Sequence, residues 1–522
     1  MPPLDTLRTV TGTVRHHTSA PRPGSRLADG RLVPQAGFVE STIPADAPRV
    51  PVEILRPDGS LLATTVTDDR GRFSVQVNFG QNPATQVFAR AVARLDLPFG
   101  TKVRVFPNAA ATETWSKQSA LGGDPLAAQM TVNVEIALDE GAAAYHMLKT
   151  LWQPFLLAKS GITAAMPDLD ILWEPGNGTE SSFASEPTRA RFLVAGGAPG
   201  DPASARDEWD AGPLVRLHGE YLLEYFLTDR APEGEPSAAP LVPSLAWREG
   251  FLDFWACAGR GTSEYWDTEG EGPDGRVVRF FDVESYFDPS LPALGGPDPN
   301  VYQDPALVGL GSAFSVAEIL WDIHDADGAG TDDDGVEFDD FFLTMRFLTR
   351  PLPGIGYPYL FTLLNEYARP PAAIPAVTLD QLLRGPEDQG MRFPATLGNG
   401  FLWPPQISPD GQPGLAIAPP FEKTVPDLLD TLNPDPVNVE VGLQSQRYHM
   451  FDLVQTADVT ATVSPSDGLI VEILDLNNVV LASGPSPQTA QDLPARRYIV
   501  RVRSSNDPQA TPFDLTLTLT AP

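Results

Sequence analysis

The sequence predicts a multidomain α+β protein: an N-terminal β-sandwich, a mainly helical middle domain and a C-terminal β-sandwich. Three observations predict it. Apolar residues alternate through residues 1–138, repeat at helical spacing through 139–390, and alternate again over 435–522. Pro, Gly and Asn crowd residues 391–434, which are expected to form a linker. A chain of 522 residues is long enough to divide in this way, because single cores stop growing well below that length.

In the first segment the alternating positions are Val50, Val52 and Ile54, then Phe73, Val75, Val77 and Phe79, then Met130, Val132, Val134, Ile136 and Leu138. Successive strand side chains point to opposite faces, so each run predicts a strand with one apolar face. Turn residues at 57–59 and 68–71 predict antiparallel hairpins. His16 and His17 fall in a polar stretch and are expected in a solvated loop. From Thr67 to Phe73 the pattern T-D-x-x-G-x-F, with Asp68 and Gly71, resembles the carboxypeptidase-regulatory or transthyretin-like sandwich modules. That resemblance implies a stabilising or adhesive appendage without catalytic residues.

Helical spacing begins near Gly141. The run GAAAYHMLKTLWQPFLLAKSG predicts one long helix that stops at Gly161, with His146 as one of its core residues. Further on, Leu214, Leu217, His218, Tyr221, Leu222 and Tyr225 share one face of a second helix, which turns His218 inward. A third helix holds LAWREGFLDF, and Cys257 follows in an apolar run that predicts a buried thiol.

Asp207, Asp210, His218, Trp247, Glu249 and Gly250, in this order and separation, resemble the gluzincin-type zincin-like metallopeptidases of bacteria. In that family two His one turn apart and a Glu from a later helix hold zinc, and the Glu beside the first His is the general base. Here Gly219 stands in place of the base and Leu222 in place of the second His. His218 and Glu249 leave two protein ligands where a catalytic zinc takes three, so Zn²⁺ is not expected and no catalytic residue is expected. The pair is then a remnant of a metal site, or His218 is a hydrogen-bonded core residue. The resemblance also implies cleft or structural roles for Asp207, Asp210, Trp247, Gly250 and Asp322, and a short cleft-lining strand from LDILWEPGNG. Glu220 and Glu224, one turn apart, would complete a non-standard ligand set with His218 and Glu249, or else form a solvated face.

The run SVAEILWDIH predicts a helix, and its Leu320, Trp321 and Asp322 match a further segment of the same family. An acidic loop follows, with Asp325, Asp327, Asp332, Asp333 and Asp334 among glycines. Such carboxylates suit Ca²⁺, although the register departs from the EF-hand pattern; a solvated acidic loop is the alternative. In the last segment Val459, Ala461 and Val463 alternate, as do Tyr498, Val500 and Val502, and then Phe513, Leu515, Leu517 and Leu519 against Asp514, Thr516, Thr518 and Thr520. With RYHMFDL, which contains His449, and ARRYIVRV as strands, this segment resembles the pre-peptidase C-terminal domains of secreted bacterial peptidases.

Asp and Glu number 68 against 36 Lys and Arg, a formal charge of −32 that argues against nucleic acid or an anionic membrane as partner. A single cysteine excludes an intrachain disulfide and a thiolate-based zinc site. No apolar run approaches the roughly 18 residues of a membrane span. No export signal is visible at the N-terminus; an extracellular or cell-surface location is expected, with the signal taken as removed. The expected function is a secreted or surface pseudopeptidase that binds protein or peptide. An active metallopeptidase with the non-standard ligand set and a structural or adhesive surface protein are the alternatives.

Overall fold

The computed structural model describes residues 7–283, 313–324, 417–429 and 446–522, apart from 22–24, 27–31, 34–37, 81–85, 125–126, 179, 198–205, 228–242, 273–274, 467, 476–478 and 505–510. The chain forms two compact units. The first gathers the residues up to Tyr225 together with Trp255–Asp282, and the second gathers Phe226–Phe254 with the described residues from Val283 onward.

Strand Leu7–His16 is the hub of the first unit's N-terminal sheets. It pairs antiparallel with Arg72–Asn78 and Ala45–Asp46, and parallel with Gln129–Thr131 and Val134–Ile136. A second sheet runs Ser116–Gln118, Phe88–Val92, Pro51–Leu55, Leu61–Val66. Val10, Val14, Val52, Ile54, Phe73, Val77, Met130, Val134 and Ile136 are all buried, as the alternation predicts. Two expectations change. The run from Met130 to Leu138 is broken, because Asn133 Oδ1 accepts the Thr13 backbone N–H at 3.0 Å and so interrupts the ladder. Both halves then pair parallel with the hub, so these sheets are not purely antiparallel. His16 does not lie in a solvated loop. It ends the hub strand on the face of Val10 and Val14 and is fully buried, whereas His17 is the surface residue, with Nε2 3.0 Å from Glu135.

The T-D-x-x-G-x-F pattern has a local physical origin. Thr67 Oγ1 accepts the Val50 N–H at 2.9 Å and donates to the Ala47 carbonyl at 2.7 Å, so a buried hydroxyl ties two segments. Asp68 Oδ1 accepts the N–H groups of Arg70 and Arg72 at 2.9 and 2.8 Å, which closes the turn. Gly71 takes φ +65°, a conformation that L side chains rarely adopt. Phe73 then enters the core.

A five-stranded mixed sheet completes the first unit, in the order Arg94–Asp96, Lys102–Phe106, Asp168–Leu172, Arg189–Leu193, Ser182–Glu186. The three central strands are parallel and both edge strands are antiparallel to their neighbours. A parallel pair needs a long crossover, and helix α1 (Ala142–Gly161) lies within the connection from the second strand to the third. One face of the sheet buries Leu95, Val103, Val105, Leu169, Ile171, Ala190 and Phe192. On the other, Asp170 is held by Arg104 at 2.8 Å and Arg189 at 3.1 Å. Helix α2 (Ala211–Tyr225) packs beside α1. Among the described residues the middle region thus mixes helix and sheet, where the sequence predicts mainly helix. The hairpin from Ser182 to Leu193 is the cause: its apolar residues Phe183, Ala190 and Phe192 are separated by arginines and a Glu-Pro-Thr turn that dilute the strand signal.

Helices α3 (Pro243–Ala258) and α4 (Ala313–His324) follow. The C-terminal sandwich of the second unit has two four-stranded sheets, Phe421–Leu429, Thr511–Thr520, Ala457–Ser464, Gln488–Leu493 and Gln446–Asp452, Arg497–Ser504, Leu469–Leu474, Val480–Pro485. Val459, Ala461, Val463, Leu515, Leu517 and Leu519 of one sheet share a core with Val471, Ile473, Val500 and Val502 of the other. Among the described residues no helix is long and apolar enough to cross a membrane.

Replacing the buried hydroxyl, Thr67→Val, leaves an amide and a carbonyl without their partner. It is expected to cost about 1–3 kcal/mol, read as a lower urea midpoint; an unchanged midpoint would remove Thr67 from this role.

Candidate functional site

Helix α2 turns an apolar face inward, and Leu214, Leu217, His218, Gly219, Tyr221 and Leu222 are all buried. His218 is enclosed by rings. The Phe155 centroid lies 4.2 Å from its own, Tyr221 stacks at 5.5 Å and Trp255 sits at 5.7 Å. The Trp255 indole N–H donates to His218 Nδ1 at 3.1 Å. An indole nitrogen only donates, so Nδ1 carries the lone pair and Nε2 carries the proton. Burial pushes the ring's pKa down to about 3, which keeps it neutral. In this tautomer neither nitrogen has a lone pair to give to a cation.

The other predicted site residues divide between the units. Glu220 lies 3.8 Å from Arg216 Nη1, and Glu224 accepts the Ser185 hydroxyl at 2.8 Å; neither contact involves His218. His218 and these glutamates belong to the first unit and Glu249 to the second. Glu249 is buried, with Oε1 2.8 Å from Arg248 Nη1. A Cβ on Gly250 would stand 2.4 Å from the Ala313 carbonyl oxygen and 2.6 Å from Val316 Cβ, so glycine there lets α4 approach α3 closely. Trp247 stacks toward Phe251, and Asp322 is half-buried in α4. Cys257 is buried, its thiol 3.3 Å from the Ser263 carbonyl. The expected calcium residues Asp325, Asp327, Asp332 and Asp334 lie outside the described residues. Strand Asp168–Leu172, expected to line a cleft, is paired on both sides, and the edges of its sheet are Arg94–Asp96 and Ser182–Glu186.

Asp207 and Asp210 are brought together with a third carboxylate that the sequence does not suggest. One oxygen each from Asp207, Asp210 and Asp267 lies within 4.8 Å of the others. Asp267 arrives from strand Glu264–Gly272. The Ser181 hydroxyl donates to Asp207, and the Tyr265 hydroxyl donates to Asp267 at 3.2 Å. Arg260 is close by: burial lowers its pKa, while Asp210 is among the groups that favour its charge. Three carboxylates are hard oxygen donors, fewer than the six to eight that Ca²⁺ takes, and the Arg260 guanidinium offsets part of their mutual repulsion.

Glu208, within the same stretch, was also invisible in the sequence. Both its oxygens lie 3.2 Å from the Gly197 amide nitrogen, and burial pushes its pKa up to about 8. It is a proton-holding carboxyl near neutrality. Nothing in the residue pattern marks it, because the shift comes from a burial that the tertiary fold imposes.

No protein-family model matches the sequence, and no curated protein does. Among solved structures the chain is similar to PliG from Aeromonas hydrophila, a periplasmic lysozyme inhibitor of g-type lysozyme, at 7% identity and a TM-score of 0.15 over 19% of this chain and 86% of that one. It is also similar to the pre-peptidase C-terminal domain of collagenase from Bacillus anthracis, at 14% identity and a TM-score of 0.14 over 19% of this chain and 89% of that one. Both likenesses are local, and neither assigns a role to this chain.

Two measurements test these environments. Trp255→Phe removes the donor to His218 Nδ1 and is expected to cost about 1–3 kcal/mol in urea denaturation, with much of the loss recovered in Trp255→Phe/His218→Leu, where no polar atom is stranded. For Glu208, a carboxyl with a pKa of about 8 when folded and about 4.5 when unfolded supports the fold fully below pH 4.5 and less as the pH climbs through 8. Glu208→Gln should therefore leave Tm near that of the parent at pH 4.5 and raise it above pH 8. Equal shifts at both would contradict the assignment.

Proposed function

We propose that this chain is an exported pseudopeptidase, a zincin-like scaffold that binds an extended peptide or protein segment without hydrolysing it. The observation that carries this reading is the hydrogen bond from Trp255 to His218 Nδ1. A zinc-ligating His usually donates its second ring N–H to an acceptor, which leaves the other nitrogen's lone pair for the metal. An indole donor at Nδ1 reverses that polarity. Gly219 and Leu222, where the resembling family has its base and second ligand, agree with it.

The sheet edge supports the binding half. Strand Ser182–Glu186 ends the mixed sheet, and no strand pairs with its outer side among the described residues. Tyr225 of α2 steadies it, its hydroxyl 2.7 Å from the carbonyls of Glu186 and Arg189. An anchored strand with an open side accepts an extended peptide through main-chain hydrogen bonds. The formal charge of −32 favours a basic one.

Two assays separate the halves of the proposal. After incubation with excess Zn²⁺ and desalting, the chain is expected to hold well under one zinc and to leave casein intact. One zinc per chain with casein cleavage, both lost in His218→Ala, would overturn the pseudoenzyme. On an array of extended peptides, basic sequences are expected to be retained, and a photo-crosslinking residue in them should label Ser182–Glu186. Labelling confined to other segments would overturn the edge as the docking strand.

A further inference from the structure

We propose that His16 and His146 form a buried two-imidazole site for one monovalent d¹⁰ metal ion, copper(I). The site is separate from His218 and does not rest on the function proposed above. His16 closes the Leu7–His16 strand and His146 lies in the second turn of α1. Their ring centroids are 6.3 Å apart, with the planes at 61°. His16 is fully buried, and all four ring nitrogens are shielded and lack a hydrogen-bond partner among the described residues. Buried polar nitrogens are costly unless something binds them, and here two such rings, from different elements, lie side by side.

The spacing selects the ion. A metal–nitrogen bond of about 2.0 Å, with the nitrogen about 1.2 Å from its ring centre, puts two rings held in line by one ion roughly 6.4 Å apart, against roughly 5.2 Å at a tetrahedral angle. The observed 6.3 Å matches the linear case. Copper(I) accepts two nitrogens in line, whereas Zn²⁺ takes four ligands. Among the described residues neither ring belongs to a group of three or more His, Cys, Asp or Glu donors. A site with two donors therefore suits an ion that needs only two.

Charge points the same way. The charged neighbour that acts on both rings is Lys149, on α1, and His146 and His17 also act on His16; from the loop before α2 Trp209 contributes its backbone and a ring 5.2 Å from that of His146. No carboxylate is among these influences, so an ion of single charge is cheaper to desolvate here than a divalent one. Burial, reinforced by His146 at His16 and by Lys149 at both rings, holds the His16 pKa well below the ordinary imidazole value and brings that of His146 down to about 4. Both rings stay neutral at physiological pH, the state that a metal requires. The Trp209 backbone favours a proton on His146, and it is placed to take the N–H that ligation would leave.

The test uses the full chain with Cys257→Ala, which removes its one thiol. Titrated without oxygen into the copper(I) complex of bathocuproine disulfonate, it is expected to withdraw one copper per chain, with the X-ray absorption edge of two-coordinate copper(I). His16→Gln and His146→Gln should each weaken the withdrawal by at least about a hundredfold, and His218→Gln should leave it intact. No withdrawal by the parent, equal withdrawal by the His16 and His146 variants, or a four-coordinate spectrum would overturn the site. Circular dichroism checks that each variant folds. If a glutamine variant does not fold, the parent's fine structure decides: scattering from two imidazoles sustains the site, and scattering from one or none removes it.

Discussion

A buried polar group must find a partner, and the partner it finds decides what chemistry it can still perform. His218 stands in a closed box of Phe155, Tyr221 and Trp255, and the one hydrogen bond it accepts there comes from an indole. That bond sets the tautomer and the orientation of the ring, and burial keeps the ring neutral. This helix face closes a core between α1, α2 and the end of α3. Leu222 and Gly219, both buried on the same helix, continue that core.

The scaffold around the box is built from long-range pairings. Strand Leu7–His16 pairs with four later strands, two antiparallel and two parallel, and so ties residues far apart in the chain. Helix α1 serves both the parallel crossover of the mixed sheet and the wall behind His218, while its second turn carries His146 to the end of the hub strand. One helix thereby positions two histidines with opposite fates. Nδ1 of His218 takes a hydrogen bond from an indole while its Nε2 has no partner among the described residues, and His146 meets another imidazole whose nitrogens also have none.

Legibility in the sequence followed the range of the interaction involved. Strand alternation in Val459, Ala461 and Val463 or in Leu515, Leu517 and Leu519 is a local consequence of backbone geometry, and those residues are buried as the period predicts. The inward turn of His218 could be read from helical spacing for the same reason. The burial of His16 was also present as a signal, since Val10, Val14 and His16 share one parity, but its polarity and the neighbouring His17 masked it. The Ser182–Leu193 hairpin was missed because its arginines hide a short apolar alternation.

By itself the sequence determined many of the strands and helices, the face each of these turns inward, and the net acidity of the chain. Only the tertiary structure decided which polar groups meet. The donor to His218, the gathering of Asp207 and Asp210 with Asp267, the raised pKa of Glu208 and the facing of His16 and His146 all join residues remote in sequence. The physical reason is that secondary structure follows from local dihedral and burial preferences, whereas tautomer, charge state and ligand geometry depend on distances that exist only once sheets and helices have packed.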